Sequence, residues 1–175
     1  MQRPGILPPI QNVRIFTHMK KTLLVIGVGN TFRNDDAAGI LVARAVKERN
    51  IPGVEVIEES GEGTSLMEAW KGADIVYLID AVSSGSAPDT IHRIDAQAQN
   101  VPTDFFHYST HAFSVAEAVE LGRALHHLPA VLVIYGIEGK NFTAGTKLTP
   151  GVLGSIKKVK DLILEEIKKE ADPAL

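Results

Sequence analysis

The chain has 175 residues, 45% of them hydrophobic and 22% charged, with a formal net charge of −3 at pH 7. These values describe one globular domain able to bury an adequate core; they exclude disordered and fibrous classes and leave no electrostatic footprint for nucleic acid or an anionic membrane. The absence of cysteine excludes disulfides, thiol catalysis and Cys-ligated zinc or iron–sulfur sites, and fits a reducing cytoplasm.

Residues 1–18 hold Arg3, Pro4, Pro8 and Pro9 but no long apolar region and no small-residue cleavage site. They read as a tail, or an upstream start, ahead of Met19-Lys20-Lys21, and the folded domain is expected over residues 19–175. No apolar run approaches the ~20 residues that span a bilayer.

From Lys21 onward strand and helix patterns alternate. Residues 23–28 (LLVIGV) form a continuous apolar run, the mark of a strand covered on both faces. Residues 37–48 read as a helix with Ala38, Leu41, Val42 and Ala45 on its inner stripe. A second strand is expected at 54–58, a short helix at 64–71 with Leu66, Met67 and Trp70 inward, and a buried third strand at 74–82. Turn residues fill 83–89, and 90–95 alternates as a fourth strand. So short a connection cannot cross over the sheet, which predicts antiparallel pairing of the fourth strand with the third.

A long loop follows at 96–113, and Ser114-Val115-Ala116-Glu117 is a capping box that starts a helix running to about residue 126. Residues 130–137 give the fifth strand, and Thr149-Pro150 opens the last helix, with Val152, Ile156, Val159, Ile163 and Ile167 on one face. The order predicts one three-layer α/β domain. Its sheet is twisted, mostly parallel and five-stranded, with one antiparallel hairpin strand and helices on both faces.

Ligands of such sheets bind beyond the carboxyl ends of the parallel strands. The residues expected there include Asn30, Asp35, Asp36, Asp80, His111 and Glu138. Gly27-Val28-Gly29 does not make a dinucleotide site: Phe32 stands where the third glycine belongs, and Asp35 and Asp36 would repel a phosphate. The two glycines are better explained by a tight turn and close helix–strand contact. Asp35 reads as a helix cap or dipole partner. Asp36, Asp80 and His111 together supply two hard oxygens and one imidazole nitrogen, a set suited to nickel or zinc with coordination positions left open for substrate. An aspartic dyad of Asp36 and Asp80 is the alternative, although it leaves His111 without a role. A serine triad of Ser109, His111 and Asp80 lacks the G-x-S-x-G elbow. Of the other histidines, His107 is a candidate supporting residue beside the site; His18, His92, His126 and His127 read as structural or solvated.

LLVIGVGNTFRNDDAAG at 23–39 resembles the opening signature of the hydrogenase maturation endopeptidases. Segments 75–95, 109–125 and 133–150 resemble the same family in order and spacing, so the resemblance covers essentially all of 21–170. It implies an endopeptidase that removes the C-terminal extension from the large-subunit precursor of a nickel–iron hydrogenase. It also implies metal binding through Asp36, Asp80 and His111, with nickel supplied by the precursor and used as the recognition signal. Relatives use Asp or Glu at the position of Asp36; the stretch Glu59-Ser60-Gly61-Glu62-Gly63 is less glycine-rich here than in many of them. Asn30, Asp35, Phe105, Tyr108 and Glu138 are expected to border the precursor cleft. A cytoplasmic monomer is expected, and a non-catalytic metal-dependent chaperone on the same fold is the alternative.

Overall fold

The apolar runs build the middle of a sheet. The computed structural model describes residues 21–106 and 113–171, in the order β1 (Leu23–Val28), α1 (Ala38–Lys47), β2 (Val54–Glu59), α2 (Gly63–Ala69), β3 (Ile75–Val82), β4 (Ile91–Asp95), α3 (Val115–Ala124), β5 (Val131–Glu138) and α4 (Pro150–Ala171). Two 3₁₀ turns, Asn34–Ala37 and Thr103–Phe106, sit within the connections. The strand order is β2-β1-β3-β5-β4; β1, β2, β3 and β5 run parallel and β4 runs antiparallel to β5. Every residue of β1 and β3 is buried, as continuous apolar strands covered on both faces must be.

Alternation along the strands divides the core in two. On one face Leu24, Ile26, Leu78 and Ile134 pack with Leu66 and Trp70 of the α2 region and Val115 and Val119 of α3. On the other, Val25, Tyr77, Ile79 and Tyr135 pack with Val42 of α1 and Val159 and Ile163 of α4. The Ser114–Glu117 capping box forms as expected, with the Ser114 amide donating to Glu117 at 3.0 Å. Helix α2 begins earlier than expected because Glu62 caps it, its carboxylate accepting from the amides of Thr64 (3.1 Å) and Ser65 (2.9 Å). The Thr64 hydroxyl and these amides together hold the Glu62 carboxyl down at about 2.

Two expectations need correction. The inner face of α1 keeps the expected Ala38 and Val42 and adds Gly39, Ala43 and Val46, with Leu41 and Ala45 only half-buried. The helix is rotated because its smallest residues seat on the sheet: a Cβ on Gly27 would lie 2.5 Å from Ala43 Cβ and from the Gly39 carbonyl, and a Cβ on Gly39 would strike the carbonyls of Val28 and Ile79. The fourth strand, in turn, pairs with β5 and not with β3, so it is no hairpin with the third. The edge of β3 is taken by β5 in parallel register, and residues 83–90 have only to step two strand spacings, about 10 Å, to reach the outer edge. That step is fixed at the end of β5: Gly139 N–H donates to the Val82 carbonyl (2.9 Å), Asp89 N–H to the Glu138 carbonyl (3.1 Å) and Glu138 N–H to the Thr90 carbonyl (2.9 Å).

Candidate functional site

The carboxyl ends of β1, β3 and β5 meet the 3₁₀ turn at one rim. Asp80, two residues before the end of β3, is 7% exposed, and its carboxylate accepts from the Ala81 amide at 2.8 Å. Burial pushes its carboxyl well above the usual carboxylate range, and the neighbouring Asp36 carboxylate pushes it further. Asp36 lies in the 3₁₀ turn, which packs against β3, and burial raises its carboxyl too, against the lowering effects of Arg33 and of a backbone hydrogen bond from Asn30. The Arg33 guanidinium stands 3.9 Å from Asp36. The Asp36 charge is therefore felt at Asp80, in a partly dehydrated setting. A cation placed between the two carboxylates would relieve that repulsion, and two hard oxygens are donors of the type a divalent ion takes. His111, His107 and Tyr108 lie outside the described residues; among the described ones no group of three His, Asp or Glu side chains forms a metal cage.

Asp35, one position earlier, has a different fate. It is fully buried, and its carboxylate accepts from the amides of Lys140 (3.0 Å), Asn141 (2.9 Å) and Thr149 (2.7 Å). It neither caps its own helix nor faces a cleft; it binds the 139–149 loop to the rim. Asn34 does the same, donating to the Thr143 carbonyl (3.0 Å) and accepting from the Lys147 amide (2.9 Å). Asn34 holds φ 48°, a left-handed conformation that asparagine tolerates. Asn30 is exposed in the connection between β1 and the 3₁₀ turn, where its Oδ1 accepts from the Phe32 amide at 2.9 Å.

Glu138 is also an anchor and not a cleft residue. At 2% exposure it accepts from the Ser84 amide (2.9 Å), the Ser84 hydroxyl (2.8 Å) and the Gly85 amide (3.1 Å), fixing the step from β3 to β4. His92 approaches the same carboxylate at 3.4 Å and packs its ring on Phe105, centroids 4.7 Å apart. Phe105 is half-buried, with its ring packed against the core. Sequence reading assigned no such cluster. The signal was alternation: Asp80, Gly136 and His92 share one register row and hence one sheet face.

Comparison with known proteins gives concordant results. The family profile HycI, hydrogenase maturation protease, matches residues 40–166. A Methanocaldococcus jannaschii chain assigned as a hydrogenase maturation protease is 32% identical over 158 residues, covering 86% of this chain and 99% of its own. The hydrogenase 2 maturation protease of Escherichia coli is 26% identical over 157 residues, covering 87% of this chain and 94% of its own. The solved structure of the Escherichia coli hydrogenase maturating endopeptidase HybD superposes with a TM-score of 0.71 at 23% identity, over 84% of this chain and 92% of that one, so the fold is shared.

Proposed function

The chain belongs to the hydrogenase maturation proteases, hydrolases acting on peptide bonds, and on that premise we propose that it removes the C-terminal extension of a nickel-loaded hydrogenase large-subunit precursor in the cytoplasm. The observation that carries this reading is the Asp36–Asp80 pair: two carboxylates raised by burial at the carboxyl rim of the sheet, with the Asp36 charge felt at Asp80. His111 completes the donor set as the third ligand. The nickel is part of the substrate. Asp36, Asp80 and His111 would hold it at the rim, where it would supply Lewis-acid polarisation of a carbonyl or a water near the scissile bond. The protein's own contribution is position: β3 fixes Asp80, the 3₁₀ turn fixes Asp36, and Asp35 locks the adjoining loop so that neither carboxylate has to be ordered on binding.

The test is incubation of the protein with nickel-loaded and nickel-free precursor, followed by mass spectrometry of released peptide. Release from the loaded precursor alone supports the proposal; equal release from both refutes nickel recognition. His111→Ala is expected to abolish release from the loaded precursor, and cleavage at the wild-type rate removes His111 from the site.

A further inference from the structure

Phe32 is 73% exposed, whereas the other exposed large apolar side chains among the described residues, Leu121, Leu125, Leu153 and Leu162, range from 40% to 49%. Scattered apolar residues on a surface are ordinary, and those four lie on or at the end of helices α3 and α4. Phe32 is different in its setting. It stands on the loop between β1 and the carboxylate turn, and the backbone around it is held on both sides. Its amide donates to Asn30 Oδ1 (2.9 Å), and its carbonyl accepts from the Gly145 amide (2.8 Å). Arg33 forms a parallel bridge with Gly145, and the Asn34 amide donates to the Gly145 carbonyl (2.9 Å). Arg33 directs its guanidinium to Asp36 and the Phe142 carbonyl, which leaves the Phe32 ring as the outward group of this stretch.

A ring presented on a fixed backbone loses little freedom when a partner covers it, and aromatic anchors of this kind carry a large share of binding energy at interfaces. The loop runs directly into the turn that bears Asp36, four residues further along the chain, so the ring stands on the stretch of backbone that leads to the carboxylate pair. We propose that Phe32 is a substrate-positioning residue: its ring takes an apolar side chain of the extended precursor segment beside the scissile bond and sets the register of that segment against Asp36 and Asp80. The inference rests on the proposed function above and names the part of the substrate that the loop reads.

Phe32→Ala and Phe32→Leu are compared with the wild type on nickel-loaded precursor, with cleavage followed by mass spectrometry and precursor affinity by biolayer interferometry. The expected result for Phe32→Ala is a KM raised about tenfold, with kcat within about twofold and a melting temperature within about 1 °C of wild type, because so exposed a side chain adds little to the fold. Phe32→Leu, which keeps an apolar surface, is expected to recover most of the loss. An unchanged KM, or a loss confined to kcat, overturns the proposal. Absence of cleavage by the wild type is a failure of the functional reading instead; the affinity arm then decides, and equal precursor affinity of wild type and Phe32→Ala, or binding by neither, overturns the positioning role.

Discussion

Replacing Asp35 with asparagine changes one atom and puts a specific sum at stake. In the wild type one carboxylate oxygen accepts from Lys140 and Asn141 and the other from Thr149, at full burial. An asparagine that keeps its carbonyl toward Lys140 and Asn141 must turn its NH₂ against the Thr149 N–H. That leaves a buried donor unpaired, at about 1–3 kcal/mol, and converts two charge-assisted hydrogen bonds to neutral ones, each about 1 kcal/mol weaker. The total is about 3–5 kcal/mol, which for a domain of this size lowers the melting temperature by about 6–20 °C. If Asp35 acted only on the helix dipole, the loss would be about 0.3–1 kcal/mol, at most about 4 °C. Circular-dichroism melting separates the two ranges. Hydrogen exchange adds a local readout, with faster exchange expected at the amides of Lys140, Asn141 and Thr149. A drop below about 4 °C with unchanged exchange at those amides refutes the anchoring role.

Asp80→Asn tests the electrostatics of the rim. A carboxyl raised by folding contributes stability that is fully present below its unfolded value, about 3.9, and is lost as pH rises through the folded value. The neutral variant is therefore expected to melt above wild type at pH 7, with the difference fading towards pH 4; nickel is expected to raise the melting temperature of wild type at pH 7 but not of Asp80→Asn. No gain at pH 7 in thermal scans would falsify the repulsion argument. Gly39→Ala is expected to cost about 3 kcal/mol or more, since the added methyl meets two backbone carbonyls, whereas Gly154→Ala, in open space on α4, is expected to stabilise by about 0.5–1 kcal/mol. Chemical denaturation of the pair checks both, and equal midpoints would contradict the packing account.

The sheet was legible because burial on two faces leaves a local trace. LLVIGV and IVYLIDAV are apolar runs wherever they are read, and Ser114 with Glu117 announces a helix start within four residues. The partner of β4 was not legible. It depends on which strand takes the edge of β3, and that strand, β5, arrives only after α3. The separate fates of Asp35 and Asp36 were equally invisible. Adjacent aspartates carry the same local signal, and only the 139–149 loop, more than a hundred residues away in sequence, turns one into an internal acceptor and leaves the other at the rim. Glu62 escaped notice for a local reason: glutamate is not among the favoured N-cap types, so nothing marks it until its two amide partners are seen.

At its closest point the seat of α1 on the sheet is made with no side chain larger than the Ala43 methyl. Gly27 and Gly39 bring helix and strand backbones into direct contact, so the separation between the two layers is set by the radii of carbonyl and Cα atoms. Elsewhere in that layer the gap is filled by Val42, Val46, Val159 and Ile163, whose volumes can change with only a cost in melting temperature. The turn carrying Asp36 runs directly into α1 and takes its height above β3 from the glycine seat. Aliphatic exchange in this interior thus leaves the spacing between the two rim carboxylates alone, and a lineage can retune its thermal stability without recalibrating its chemistry.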